Sequence, residues 1–363
     1  MVALAVPTLT DKILAGERIS AAEALELYRW PLPELGALAN ARRNHGKGAS
    51  YDGKGAEIVT YIVDRNINYT NVCNVYCKFC AFYRTEKDAD HYVLSRDQLN
   101  QKLDELSAAG GVQILMQGGH HPKLDFDWYL NLLQHIRTKY PHINIHGFSP
   151  PEFQHFAEVF GMPLRELIFA FKTAGLGSIP GGGGEILVDR VRQKISPLKC
   201  NSAAWLEVMQ IAHEEGLNSS ATMMFGHVET VEDRLEHLQR LRDQQDASGG
   251  FTAFICWTFQ PENTVLKIKH RVGVAEYLRI QALARIFLDN FANVQSSWVT
   301  QGPDIGQVAL KYGANDFGSV MMEENVVSSA GTTFHLDAAR IESLIREAGY
   351  EPRRRNNWYG LLN

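Results

Sequence analysis

Residues 57–80, "EIVTYIVDRNINYTNVCNVYCKFC", pass from a β-branched, apolar run into a short segment holding three of the chain's five cysteines. The run up to Thr70 has the Val, Ile, Thr and Tyr content of a strand. The thiols follow on the loop beyond its C-terminal end. Similar β-rich runs recur downstream as "GVQILMQG", "INIHGFS", "GGEILVD", "NSSATMMFG", "GFTAFICWTFQ", "NVQSSWVT" and "DFGSVMM", which makes eight with the first. Between them lie amphipathic stretches such as "SRDQLNQKLDELSAAG", "FDWYLNLLQHIRTKY", "SAAWLEVMQIAHEEG" and "TVEDRLEHLQRLRDQQ".

Strands alternating with helices at this spacing predict a parallel sheet, and eight such units predict an α/β fold of the (β/α)₈ TIM-barrel type. An open doubly wound sheet is the alternative, and the count favours the barrel. Residues 1–55 read as an N-terminal helical layer, with Ser20 as an N-cap. Residues 56–324 form the barrel, and 325–363 a closing helix, "HLDAARIESLIREAG", followed by a solvated basic tail, "EPRRRNN". No repeat, low-complexity tract or linker interrupts this plan, so a single domain is expected.

The chain has 363 residues, 45% hydrophobic and 21% charged, with a formal net charge of −5. Such a mild acidity argues against a nucleic-acid binder. Nothing near the N-terminus reads as a signal peptide and no apolar run reaches bilayer length, so a cytoplasmic protein with no membrane partner is expected. An odd cysteine number, with three clustered, suits a reducing compartment and a chemical role.

Cys73, Cys77 and Cys80 are spaced C-x₃-C-x₂-C. Thiolates suit zinc, copper(I) or iron–sulfur iron. A structural zinc would want a fourth protein ligand, but Cys200 and Cys256 are distant and read as buried structural thiols, and no motif recruits His91. Three thiolates on a cubane cluster leave one iron open to bind a further ligand. The spacing resembles that of the radical S-adenosylmethionine enzymes. That resemblance implies a 4Fe-4S cluster on the three cysteines, S-adenosylmethionine chelated to the open iron, and Phe79 as the aromatic between the last two cysteines.

Other strand ends then fall into place. Gly118 and Gly119, in "LMQGGHHP", allow close backbone approach and resemble the superfamily's Gly-Gly-Glu motif, with His120 at the glutamate position. Glu185, read inside an apolar strand, needs a partner there, either a ribose diol or Arg190 or Arg192. "TMMFGHVE" resembles the adenine-binding pattern, with Met224 and Gly226 flat against the purine and Glu229 ahead of a helix. Ser149 lies at a further strand end and completes the candidate cofactor contacts with Arg190.

The runs "GFSPPE", "GGGGEILVDRVR" and "WTFQPENT" resemble the menaquinone- and deazaflavin-pathway branch of the superfamily, and "WTFQPENT" its dehypoxanthine futalosine cyclases. Membership implies hydrogen abstraction from the ribose (C4′) of dehypoxanthinylfutalosine, ring closure onto its benzoate, and a flavodoxin or ferredoxin-type reductant. Candidates for accepting the released proton are His227, His120 and His146, Glu324 is a further catalytic candidate, and Ser149, Gln260, Trp257, Asn263 and Glu324 at predicted strand ends are expected to line the pocket. Arg190, Arg192 and Lys172 are candidates for the benzoate carboxylate. An aminofutalosine-synthase-like or deazaflavin-synthase-like enzyme is the alternative within the superfamily. An iron–sulfur electron carrier and a regulatory zinc protein are the alternatives outside it.

Overall fold

The computed structural model describes residues 8–362. The first residues of the expected N-terminal layer lie outside that range. Ten strands run in parallel: β1 (Ile58–Ile62), β2 (Asp64–Ile67), β3 (Gln113–Met116), β4 (Asn144–Gly147), β5 (Ser178–Ile179), β6 (Asn218–Phe225), β7 (Phe251–Thr258), β8 (Val294–Gln295), β9 (Asp316–Ser319) and β10 (Glu351–Arg354). Their order is β10-β1-β9-β8-β7-β6-β5-β4-β3-β2.

The two ends of that array are one piece of chain. β1 and β2 form a single extended run interrupted at Val63, with β1 bonded to β9 and β2 to β3. Carbonyl direction alternates along a strand, so each edge of the run meets a different partner. Ile62 O accepts from Val320 N (3.0 Å), whereas Val63 O accepts from Val112 N (3.1 Å). The ring therefore closes into an eight-stranded barrel, as the alternation predicts.

The basic tail departs from expectation. Instead of lying in solvent, residues 351–354 form β10 on the edge of β1 that β3 does not reach. Arg355 N continues the ladder to Tyr61 O (2.9 Å). A run of arginines reads as solvated because an isolated guanidinium is costly to bury; here Asp316 supplies the missing charge. Arg355 bonds Asp316 through Nε (2.5 Å) and Nη2 (2.9 Å), and both side chains are buried.

The expected fourth strand, "GGEILVD" at 183–189, is also corrected. β5 takes that place five residues earlier, where Ser178 pairs with His146 and Asn218. Residues 183–188 form a loop before helix Asp189–Ile195. Ile186 and Leu187 are apolar because this loop packs into the core, with Leu187 N bonded to His237 Nδ1 (2.9 Å).

The helical N-terminal layer is present at Leu9–Leu14, Ala21–Leu27 and Leu32–Lys47. Ser20 caps the second helix reciprocally with Glu23, as expected. Leu27, Leu35 and Leu38 share one core with the barrel helices, including Leu278 and Leu283 of helix Val274–Phe287. The expected closing helix is Ala338–Glu347, whose Ile341, Leu344 and Ile345 pack on Val59 and Tyr61 of β1. Among the described residues no helix is long and apolar enough to cross a membrane.

Candidate active site in the barrel lumen

A parallel barrel usually fills its interior with branched apolar side chains. This one does not. Every second residue of four strands faces a cavity of about 440 Å³: Asp64 and Asn66 on β2, Gln113 and Leu115 on β3, Ser220, Thr222 and Met224 on β6, and Ala253, Ile255 and Trp257 on β7. The polar members gather toward the strand starts. Arg355, Asn357 and Tyr359 from the tail line the same cavity. Tyr359 lies beside Arg285, which ties down the loops ahead of β8 and β9, so the tail closes the N-terminal mouth of the barrel.

His146 of β4 sits in this lumen with Nδ1 2.7 Å from Ser178 Oγ. Burial, with Arg355 nearby, lowers its pKa to about 3, so the imidazole is neutral. Asp64 moves the other way. Its burial raises the pKa to about 6 despite bonds from Ser319 and Gln113.

At the opposite, C-terminal rim the cysteine loop is pinned on several sides. Cys73 N bonds Arg84 O (2.9 Å), Asn74 N bonds His120 O (3.2 Å) and Lys78 N bonds Ile195 O (2.8 Å). Cys73, Cys77, Phe79 and Cys80 all line the cavity. Burial pushes the Cys77 thiol up to about 12 and raises Cys80. Among the described residues no three His, Cys, Asp or Glu side chains are grouped tightly enough to hold a single ion. The three thiols instead share one wall of one cavity.

Lys199 stands beside them with Nζ 5.1 Å from the Phe79 ring centroid. Burial opposes its charge, but Cys77 and Glu185 more than offset that, and its pKa is raised. Its Nζ bonds Glu185 Oε1 (2.8 Å), so Lys199, not Arg190 or Arg192, is the partner Glu185 requires. Glu185 has φ +34°, a conformation that is strained for a non-glycine residue and typical of functional sites. Its Oε2 is buried without a hydrogen-bond partner.

Several sequence-predicted residues lie elsewhere. Arg190 is half-exposed and bonded to Asp233, outside the cavity lining. Arg192 is buried, but it holds the Gly183, Gly184 and Cys200 carbonyls. Lys172 is exposed and bonds Glu215 O. His227 does not line the lumen: its Nδ1 accepts from Val228 N (2.8 Å), its Nε2 lies 3.1 Å from Met224 O, and its backbone N donates to Glu229 Oε2 (2.9 Å). Gly226 is also outside the lining; it adopts φ +94°, and its lack of a side chain leaves room for Val272, 2.0 Å from where a Cβ would stand. Glu324 does line the cavity, with its carboxylate engaged by the amides of Val326, Val327 and Ser328. His91 is exposed, bonded to Asp88 O.

Comparison with known proteins decides the family. Residues 67–241 match the radical SAM superfamily model and residues 248–363 the CofH/MqnC C-terminal region. The chain is 42% identical over 362 residues to the cyclic dehypoxanthine futalosine synthase of Halalkalibacterium halodurans, covering 99% of this chain and 95% of the relative. It belongs to the radical S-adenosylmethionine superfamily. The cyclic dehypoxanthine futalosine synthase of Streptomyces coelicolor is 45% identical over 354 residues (97% and 87% covered). The aminodeoxyfutalosine synthase of Thermus thermophilus is 36% identical over 361 residues (97% and 94%). Methylornithine synthase shares the fold, with a TM-score of 0.74 at 17% identity over 96% of this chain and 98% of that one.

Membership in the radical S-adenosylmethionine superfamily implies a 4Fe-4S cluster and S-adenosylmethionine, and the residues present fit both. Three thiols on one cavity wall suit a cluster with one open iron. The unpartnered Glu185 Oε2 at the rim suits a ribose hydroxyl. Gly119 is what lets the two motifs meet. A Cβ there would stand 2.1 Å from Val72 O and 2.9 Å from Cys73 Cβ. Gly119→Ala is therefore expected to displace the cysteine loop and lower the iron and sulfide bound per chain after reconstitution, with far-UV circular dichroism unchanged. Gly46→Ala, which meets nothing within 4 Å, is the control. Full iron loading in Gly119→Ala would refute this packing role.

Sequence reasoning missed Lys199, Arg355 and the polar lumen residues of β2, β3 and β6. The alternation of Asp64, Asn66 and Asn68 within an otherwise β-rich run is the signal that marks lumen-facing positions.

Proposed function

We propose that this chain cyclises dehypoxanthinylfutalosine by radical chemistry, the reaction class named for its relatives at 42% and 45% identity. The carrying observation is one continuous cavity that runs from the three thiols at the rim to a polar floor. Its volume is within the range of small-molecule sites. Polar groups in the floor suit the hydroxyls of a sugar, and Arg355 with two unused N–H groups suits an oxygen-rich ligand.

Cys73, Cys77 and Cys80 would hold the cluster, Gly118 and Gly119 would offer backbone groups to the amino acid portion, and Glu185, Ser149, Phe79 and Met224 would line the nucleoside. When bound, the cluster and S-adenosylmethionine supply a 5′-deoxyadenosyl radical that takes a hydrogen from the substrate ribose. The protein's own part is positioning, exclusion of water and receipt of a proton. Val75, Phe79, Ile255 and Trp257 put apolar surface around the reacting region. Burial, with His155 packed at 4.9 Å between ring centroids, holds His120 well below its usual pKa. His120 and His146 both line the cavity as neutral imidazoles, and the burial that keeps them neutral also makes them weak bases for the proton lost as the ring regains aromaticity.

The test is product identity. Reconstituted anaerobically with dithionite, S-adenosylmethionine and dehypoxanthinylfutalosine, the protein is expected to release free 5′-deoxyadenosine and a product two hydrogens lighter than the substrate. A product that retains the adenosyl group would assign the aminofutalosine-synthase reaction instead.

A further inference from the structure

A buried polar atom left without a partner costs stability, so a set of them around one cavity marks where a ligand's own polar groups belong. Five such atoms come from residues lining the cavity: Asn66 Oδ1, Glu185 Oε2, Gln260 Oε1, Asn357 Nδ2 and the Tyr359 hydroxyl. They divide by place and by kind. The three acceptors stand toward the C-terminal ends of the strands, with Asn66 next to last in β2, Gln260 two residues past β7, and Glu185 beside Lys199 at the rim. Asn263, also expected there, lies outside the lining and bonds Ser329 O (2.9 Å). The two groups able to donate both come from the tail that closes the N-terminal mouth.

Arg355 adds two more donors at that end. Its Nε and Nη2 bond Asp316 (2.5 and 2.9 Å), and its Nη1 bonds Asn356 O (3.1 Å). A guanidinium has five N–H groups, so one remains free on each terminal nitrogen. The Tyr359 ring lies against the guanidinium, with Cζ 4.0 Å from the ring centroid, and helps fix its plane. The tail presents these groups from a hairpin: Arg355 bridges Leu361 in antiparallel fashion, Asn356 N bonds Gly360 O (3.0 Å) and Leu362 N bonds Arg354 O (2.9 Å). Tyr359 is held at φ +61°, a strained conformation for a non-glycine residue, and its carbonyl accepts from the Tyr51 hydroxyl (3.2 Å). The carboxylates at this end already have donors within the protein. Asp316 has Arg355, Thr60 and Gly318, and Asp64 has Ser319 and Gln113. Donors are therefore left in excess at the closed end of the barrel.

We propose that Arg355, Asn357 and Tyr359 form a carboxylate site that holds the benzoate of the substrate at the closed end of the barrel, with the ribose toward the three thiols. The inference rests on the function proposed above, which supplies the carboxylate. Among the described residues, the lysine and arginine side chains lining the cavity are Lys199 and Arg355, and Lys199 is taken by Glu185. Arg355 is the cation that remains for an anionic ligand, in place of Arg190, Arg192 and Lys172. Its two free N–H groups suit a carboxylate, which accepts through two oxygens. The unmatched acceptors of Asn66 and Gln260 then lie where ribose hydroxyls can donate. One division of donors and acceptors thus sets which end of the substrate faces the thiols.

The test compares dehypoxanthinylfutalosine with an analogue that carries a carboxamide in place of its carboxylate. Each is titrated by calorimetry into the reconstituted protein with S-adenosylmethionine and no reductant, so that nothing turns over. One variant is Tyr359→Phe, which keeps the ring and removes a hydroxyl that bonds nothing in the protein. The other combines Arg355→Met with Asp316→Leu, so that no charge is left unpaired. A hydrogen bond to a charged group is worth about 10-fold or more in affinity. The parent is therefore expected to favour the carboxylate by at least about 10-fold. Tyr359→Phe should bind the carboxylate about 10-fold more weakly, with a smaller loss for the carboxamide and an unfolding midpoint no lower than the parent's. The paired variant should lose most of the preference. Equal affinity of the parent for both ligands, or an undiminished preference in either variant, would overturn the proposal. Failure of the functional reading looks different: the parent forms no cyclised product with dithionite. Benzoate and benzamide then replace the two ligands on the same proteins, and equal affinity of the parent for them would overturn the carboxylate site as well.

Discussion

Cys77→Ala is expected to reduce S-adenosylmethionine cleavage to background while leaving the barrel folded. Cys77 is the most buried thiol of the loop, and its neighbour Lys199 is itself buried with Glu185 as partner. An alanine fits the space left by the thiol, and no backbone hydrogen bond of the loop depends on the sulfur. Folding of the cluster-free proteins, measured by circular dichroism and the unfolding midpoint, should therefore stay near the cluster-free parent's. A cluster with only two protein thiolates has a second open iron and should be lost or degraded, read as absorbance and iron content. Retained cleavage with a full cluster in this variant would remove the metal assignment.

Arg355→Met carries the largest expected effect on stability. The pair it breaks is buried, and Asp316 would keep only the Thr60 hydroxyl (2.5 Å) and the Gly318 amide (2.9 Å) as partners for its charge. Removing one member of such a pair costs about 3–5 kcal/mol. Burial opposes the guanidinium charge of Arg355, and Asp316 more than offsets it, so the arginine pKa is raised. The expected outcome is a clear fall in the denaturation midpoint, most of it recovered when Asp316→Leu is added to Arg355→Met. Equal midpoints for the parent and Arg355→Met would mean that the pair does not hold the tail in place. Because Arg355, Asn357 and Tyr359 also form the cavity floor, the single variant should bind substrate more weakly even at temperatures where it remains folded.

The barrel was legible because its evidence is local. Seven of the eight β-rich runs contain barrel strands, and the capping pair Ser20 and Glu23 marks a helix start within four residues. The run at 183–189 misleads because burial in a loop and burial in a strand select the same apolar residues. The cysteine loop and Gly118–Gly119 were legible for a related reason: each is a short motif whose spacing carries its chemistry.

The remainder depends on contacts that sequence proximity does not reveal. Arg190 and Arg192 lie close to Glu185 in sequence, yet the helix that follows carries Arg190 outward to Asp233 and turns Arg192 toward carbonyls. Lys199 reaches Glu185 only after the chain has passed through that helix. His227 follows a glycine at a strand end, where a base would be sought, but its ring nitrogens are engaged by the Val228 amide and the Met224 carbonyl, outside the lumen lining. Arg355 finds Asp316 from a β-strand that exists only because β1 leaves one edge uncovered.

The most direct test of the central claim follows one hydrogen atom. Dehypoxanthinylfutalosine deuterated at ribose C4′ is incubated anaerobically with the reconstituted protein, dithionite and S-adenosylmethionine, and the recovered 5′-deoxyadenosine is weighed by mass spectrometry. Radical abstraction from the ribose predicts one deuterium in the 5′-deoxyadenosine and none in the cyclised product. Unlabelled 5′-deoxyadenosine beside a product that keeps its deuterium would contradict the account.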